Sequence, residues 1–326
     1  MRKYLIALTV LAGVVILALF AGNGAMDSGK VLEVLSGGGN RIERQIIFQI
    51  RLPRILAAAV AGSAFAVSGY LLQENLNNVI ASPGLLGINN GAGLFVLLSA
   101  IMFPYHTGMK CVMAFSGAII CAVLVSALSA GTGMSKTSVI LSGVAISSLC
   151  SSVSQLIISL RPETVADKTV FFIGGFSSVP ITAVKIAIPV SVIMLVVSLM
   201  TAGALDIIRL GDETALGLGL NVSLYRMLHI AVASVLSGAA VSMSGIIGFV
   251  GLMVPNFVRL FYRGKSRGSI IFCILTGASF MLLCDTAARI VVYPYEIPCG
   301  LILSALGTPF LIWMLVKKRK RLGAYD

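Results

Sequence analysis

The sequence predicts an all-α polytopic membrane protein of about ten transmembrane helices. Three observations lead there. Hydrophobic residues make up 58% of the 326 positions and charged residues only 11%, against roughly 45–50% and ~25% in soluble domains. Mean hydropathy is +1.01. Apolar runs of span length recur along the chain, and at ~20 residues per crossing they supply nine or ten spans. A soluble globule, a disordered chain and a collagen-like chain are excluded. A membrane β-barrel is disfavoured, because its lumen-facing positions would be polar at every second residue. The net charge of +12 would point to nucleic acid in a soluble protein. Here the basic residues sit mainly beside apolar runs, as bilayer-flanking charges do, and no nucleic-acid partner is expected.

The elements follow in order. Tyr4 to Gly22, behind Arg2 and Lys3, is longer than the ~7–15 apolar residues of a signal peptide and reads as a retained first span. Asn23 to Ile50 is a Gly-rich, mixed-charge extracytoplasmic segment. The second span runs Ile55 to Leu72 and leads into a turn-rich stretch, Gln73 to Gly87. Gly91 to Phe103, Met109 to Ala130 and Ser138 to Leu160 are the third, fourth and fifth spans. Arg161 to Pro180 is amphipathic and too interrupted to cross. Ala183 to Ala204 is the sixth span, and the polar interval Leu205 to Tyr225 follows. Met227 to Met243, Ile246 to Phe261, Ile270 to Val292 and Gly300 to Val316 complete the set, and all of it forms one domain over residues 1–326.

Ten spans place both termini on one side, and the basic run Lys317 to Arg321 makes that side cytoplasmic. Together with Arg2, Lys3, Lys136, Arg209, Arg226, Arg259, Arg263, Lys265 and Arg267, that side holds the majority of the 24 basic residues. Arg41, Arg44, Arg51 and Arg54 form an opposing outer cluster. Gly62-x6-Gly69 in the second span recurs as Gly238-x6-Gly245 in the seventh, which crosses in the opposite direction. That is the pattern of inverted-topology repeats around a central pathway.

No enzyme constellation is visible. His106 and His229 stand alone, and the six cysteines have no CxxC spacing, so they read as small packing residues. Gly131 to Thr137 approaches a phosphate loop, but Ser135 stands where Gly must precede Lys136. The chain is therefore expected to bind no metal or cofactor and to hydrolyse no ATP unaided.

Other polar residues sit where lipid makes them costly. Ser142, Ser148, Ser152, Gln155 and Ser159 share one face of the fifth span. Gly300, Ser304, Gly307 and Thr308 make a similar stripe in the tenth. Such hydroxyls either pack against neighbouring helices or line a wet pathway. Pro53 suits a first helical turn, where the cations Arg51 and Arg54 oppose the dipole and call for an anion. Lipid phosphate and an acidic partner protein both qualify. Asp212 and Glu213 suit a helix start, and Gly217 and Gly219 break it, giving two short cytoplasmic helices in the polar interval. Asp285 lies deep in an apolar run, so it is either functional, for instance as the cation site of an ion-coupled secondary transporter, or paired with Arg289 one turn on.

In this order the segments resemble the FecCD family, the permease subunits of binding-protein-dependent ABC importers for iron-siderophores, haem and cobalamin. The motifs are Arg51-Leu-Pro-Arg54, Ser68-Gly69, Gln73, Asn78, Pro83-Gly-Leu-Leu-Gly87, Leu141-Ser-Gly-Val-Ala145, Glu213-Thr-Ala-Leu-Gly-Leu-Gly219, Gly245-Ile-Ile-Gly-Phe-Val-Gly-Leu-Met-Val-Pro255 with Arg259, Asp285-Thr-Ala-Ala-Arg289, Glu296-Ile-Pro298 and Gly307-Thr-Pro-Phe310. The resemblance implies import of an iron chelate, of siderophore or haem type, or of cobalamin, across a bacterial cytoplasmic membrane. It implies a second permease subunit, as a homodimer or pseudodimer, and an extracytoplasmic substrate-binding protein that meets Arg51, Arg54 and Arg289. It implies two cytoplasmic ATPase subunits, which hold ATP and magnesium and dock on Gly211, Asp212, Glu213, Thr214, Leu216, Gly217 and Gly219. Asn78, Pro83 and Ser142 fall at the cytoplasmic gate, the region from Lys136 to Val144 borders a second gate, and Ser148, Ser152, Gln155, Ser159, Ser304 and Thr308 line the pathway. The chain departs from the family pattern at Val79-Ile80, where Pro-Leu is usual, at Ser82, where Asp or Glu is usual, and at Asn256, where His follows the Pro.

Overall fold

Backbone polar groups in lipid must be satisfied within the chain, and every regular element among the described residues is helical. The computed structural model describes residues 2–21, 28–103, 106–130, 136–160, 171–177, 179, 181–262, 264–292 and 295–322. Gly131 to Ser135, the start of the stretch that approaches a phosphate loop, and the first half of the amphipathic stretch lie outside them. The helices are α1 (Arg2–Phe20), α2 (Ser28–Leu35), α3 (Arg41–Gln45), α4 (Leu52–Asn75), α5 (Ile88–Met102), α6 (Thr107–Ala130) and α7 (Lys136–Leu160). They continue with α8 (Ile181–Met200), α9 (Ala202–Ile208), α10 (Asp212–Gly217), α11 (Val222–Ser244), α12 (Val250–Phe261), α13 (Ser266–Ile290) and α14 (Cys299–Leu322). Seven helices among the described residues are long and apolar enough to cross a membrane, and three more, 88–102, 250–261 and 299–314, are apolar but shorter.

The second span begins differently from its sequence expectation. Residues 46–51 form a π-helix that joins α3 to α4, so the stretch 41–75 is continuously helical. The wider turn, in which the Leu52 amide donates to the Ile47 carbonyl, accommodates the missing N–H of Pro53 without ending the helix. Arg51 and Arg54 therefore do not occupy an exposed first turn.

Buried α4 lies at the centre and packs on α13, α11, α12 and α8. Gly62 and Gly277 face each other where α4 crosses α13, and a Cβ on either would overlap the other's carbonyl. Small residues at a crossing let two backbones approach, which drives helix association in lipid. The hydrogen bonds Ser68 Oγ to the Ala233 carbonyl, 2.7 Å, and Asn75 Nδ2 to the Arg226 carbonyl, 3.0 Å, run α4 antiparallel to α11.

Packing partners repeat in two halves. As α4 packs on α13 and α12, α11 packs on α6 and α5; α5, α6 and α7 neighbour one another as α12, α13 and α14 do. Gly62 of α4 and Gly238 of α11, which meets Ala114 and Ala118 of α6, hold equivalent crossings. The second glycines of the shared spacing do not. Gly69 meets Gly251 in mid-helix, whereas Gly245, at φ 71°, ends α11. All six cysteines are buried and free.

Candidate functional site

Three regions hold the residues singled out in the sequence. At the N-terminal end of α4, Arg54 makes a two-pronged contact with Asp285 of α13, Nε to Oδ2 at 3.0 Å and Nη2 to Oδ1 at 2.9 Å, while its Nη1 reaches Glu296 at 2.8 Å. Such paired bonds are the strong form of an arginine–carboxylate contact. Arg289 stands farther off, 3.5 Å from the same carboxylate, and donates instead to the carbonyls of Ala18 and Ala21. Arg51 donates to the Leu19 carbonyl at 2.9 Å. Two arginines thus cap the last carbonyls of α1, where cations are favoured. The anion that the sequence left open for Arg54 comes from within the chain, 231 residues away. Asp285, with a side chain 2% exposed, is neutralised by Arg54 first and Arg289 second.

At the other end of α4, Glu74 was not singled out in the sequence. Its buried carboxylate receives Arg259 through Nε at 3.1 Å and Nη2 at 2.9 Å, and Arg209 through Nε at 2.9 Å. Arg259 Nη1 donates to Asn256 Oδ1 at 2.9 Å, and Asn256 Nδ2 donates to the Val79 carbonyl at 2.9 Å. Two of the three departures from the family pattern, Val79 and Asn256, therefore meet in one contact, with Asn256 holding the backbone of the 76–87 loop. Next to Glu74, Asn75 holds the carbonyl of Arg226, whose guanidinium reaches Asp212 of α10 at 3.0 Å. A chain of polar contacts runs from α10 through α11, α4 and α12 to this loop.

The loop itself is tightly turned. Asn78 Oδ1 accepts from the Ile80 amide at 3.1 Å, and Ser82 Oγ from the Leu85 amide at 3.3 Å. Pro83 rests on Gly251, and Gly87, at φ 74°, packs against Gly143 and Ser147 of α7. Ser142 is half-buried at the start of the same helix. The loop is wedged between α12 and α7. The polar interval holds α10, which starts at Asp212 as expected, and most of α9, which begins at Ala202 within the expected sixth span; past Gly219 the chain enters long α11. On α10, Glu213, Thr214, Leu216 and Gly217 are exposed, as is Gly219 just beyond it; Leu216 and Leu218 are 61% and 63% exposed.

The polar stripes form the third region. Ser148, Ser152, Gln155 and Ser159 on α7, and Ser304 and Thr308 on α14, are all exposed. They do not cement helices within the chain. Helix α7 packs on α5 and α6, and α14 on α13 and α12, so the two stripes stand on the outer helices of the two halves. Phe249, strained at φ 68°, sets its ring against Gly307 beside the second stripe. Among the described residues no group of three His, Cys, Asp or Glu could hold a metal ion.

Open polar faces on two membrane helices, with an exposed helical projection joined by polar contacts to a loop between spans, fit the architecture of a membrane permease. The chain belongs to the FecCD transport family, whose model matches residues 9–317. It is 36% identical to the Fe(3+)-citrate import system permease protein YfmD of Bacillus subtilis, over 90% of this chain and 87% of that one. It is 33% identical to the hemin transport system permease protein HmuU of Yersinia pestis, over 94% of both. A solved inward-facing ABC transporter of metal-chelate type matches 97% of this chain and 99% of that one with a TM-score of 0.85 at 25% identity.

Proposed function

We propose that this chain is the permease subunit of an ATP-driven importer that carries an iron chelate, of siderophore or haem type, across a bacterial cytoplasmic membrane. Ten crossings are reached when the three shorter apolar helices join the seven long ones, with both termini cytoplasmic. The iron-citrate and hemin permeases among its relatives support the cargo class. Two copies enclose the path, bringing α7 of one against α14 of its partner so that the serine and threonine stripes face the chelate. ATP and magnesium belong to two separate cytoplasmic ATPase subunits docked on Gly211 to Gly219.

One observation carries this reading. Exposed α10 is tied by Asp212 to Arg226, and through Asn75, Glu74, Arg259 and Asn256 to the loop holding Asn78 and Pro83. A push on α10 reaches the loop through this run of ion pairs and hydrogen bonds. The loop and the start of α7 then form the cytoplasmic gate. Docking of an extracytoplasmic binding protein falls to the face where Arg51 and Arg54, at the start of α4, meet Arg289 of α13, and where partly exposed Glu296 competes internally for Arg54. Asp285 is charge-paired on both sides, which argues against a role as the cation site of a secondary transporter.

The test is ATPase association and coupled uptake in the Leu216→Asp chain. The exposed leucine supports no core, so folding is expected to persist while association with the ATPase and chelate uptake are lost. Wild-type association and uptake in that variant would overturn the assignment of α10.

A further inference from the structure

A cavity of about 840 Å³ opens where α1, α12, α13 and α14 meet, outside the three regions described above. Its walls include Val10, Met253, Phe257, Phe280, Leu283 and Phe310. The two hydroxyls in the wall are spent on their own helix, Thr276 on the Phe272 carbonyl at 2.6 Å and Ser279 on the Leu275 carbonyl at 2.8 Å. Away from Lys3, the described lining of the groove is apolar and offers water few partners.

Among the described residues, one charged side chain lines it. Lys3 Nζ donates to the Phe261 carbonyl at 2.9 Å, and an ammonium has three donors to place. Arg2 beside it is exposed, as are Lys265 and Arg267 at the start of α13. These cations share one end of the groove, because the hydroxyls of Tyr4 and Tyr262 rest against Gly268. Asp206, the acid that faces the start of α13, is already engaged by the Ser266 amide at 2.8 Å and by Arg209. The rings of Tyr4, Tyr262 and Phe272 cluster at the same end, with centroids 4.9 to 5.8 Å apart. Tyrosines gather at the membrane–water boundary, so the cations stand at headgroup level and the groove runs into the hydrocarbon.

We propose that this groove binds one anionic phospholipid, its acyl chain along Val10, Phe257 and Phe280 and its phosphate at Lys3, with Arg2, Lys265 and Arg267 around it. Basic pockets between membrane helices select such headgroups. A zwitterionic lipid leaves the four cations without net compensation. A second copy of the chain packed here about a two-fold axis would bring the same cations against themselves.

The full chain in phosphatidylcholine vesicles, carrying a trace of spin-labelled phosphatidylglycerol or spin-labelled phosphatidylcholine, tests this by the motionally restricted fraction in electron spin resonance. The phosphatidylglycerol label is expected to be preferred, with Lys3→Gln lowering the preference about fivefold and Lys3→Arg retaining it. Val10→Trp, which fills the groove and leaves every cation in place, is expected to abolish the preference for phosphatidylglycerol while the chain still melts at the wild-type temperature. Equal restriction of both labels by the wild-type chain would overturn the proposal. So would a preference that survives Val10→Trp, which assigns it to surface charge alone. Loss of chain–chain association in Val10→Trp, with lipid restriction unchanged, would assign the groove to a second copy instead.

Discussion

Replacing Glu74 by Gln is the sharpest probe of the contacts that join α10 to the 76–87 loop. The substitution keeps the side chain's shape and removes its charge. Arg259 then loses two charge-assisted bonds, and Arg209 is left with Asp206 at 3.9 Å. Removing one member of a buried ion pair costs about 3–5 kcal/mol. The Glu74 side chain is 6% exposed, but Arg259 and Arg209 are 24% and 36% exposed and keep water access. The expected loss is therefore at the lower end, about 3 kcal/mol. All six cysteines are buried, so a thiol-reactive dye reports unfolding of the detergent-solubilised chain directly. The Glu74→Gln chain should melt well below wild type, and Glu213→Gln, on exposed α10, should not. In the assembled transporter, Glu74→Gln should also let ATP hydrolysis run on with reduced uptake. A wild-type melting temperature together with wild-type coupling would refute the reasoning.

Gly62→Ala is expected to cost about 1–3 kcal/mol through overpacking, because its Cβ meets the Gly277 backbone, whereas Gly203→Ala, with open space around it, should leave melting unchanged; the same dye assay separates them. Arg54→Gln leaves buried Asp285 with only Arg289 at 3.5 Å and is expected to destabilise by about 3 kcal/mol. Glu296→Gln, at a side chain 29% exposed, should cost under about 1 kcal/mol in the same measurement.

Composition and apolar periodicity carried the fold, since a lipid-spanning chain writes its helices as long apolar runs. The exposed stripes on α7 and α14 were legible for the same reason, because a serine in hydrocarbon has to be accounted for. The charged contacts were not. Arg54 and Asp285 lie 231 residues apart, and Arg259 and Glu74 lie 185 apart, so local spacing holds no trace of either pairing. For Asp285 the sequence offers a functional role or a pair with Arg289 one helical turn on, and the geometry favours Arg54. Glu74 was missed because α4 runs on to Asn75, through residues whose polarity reads as a turn. A carboxylate just past an apolar run, in a chain with Arg209 and Arg259 unassigned, was the signal available. The continuous helix over 41–75 was hidden by Pro53, which ordinarily opens a helix and here follows a π-turn.

The most direct test reconstitutes the purified chain in sealed liposomes and follows entry of ferric citrate or hemin, with and without the ATPase subunits and ATP. Uptake is expected only when ATPase subunits and ATP are both present. Concentrative uptake by the chain alone, driven by an imposed ion gradient, would contradict the account.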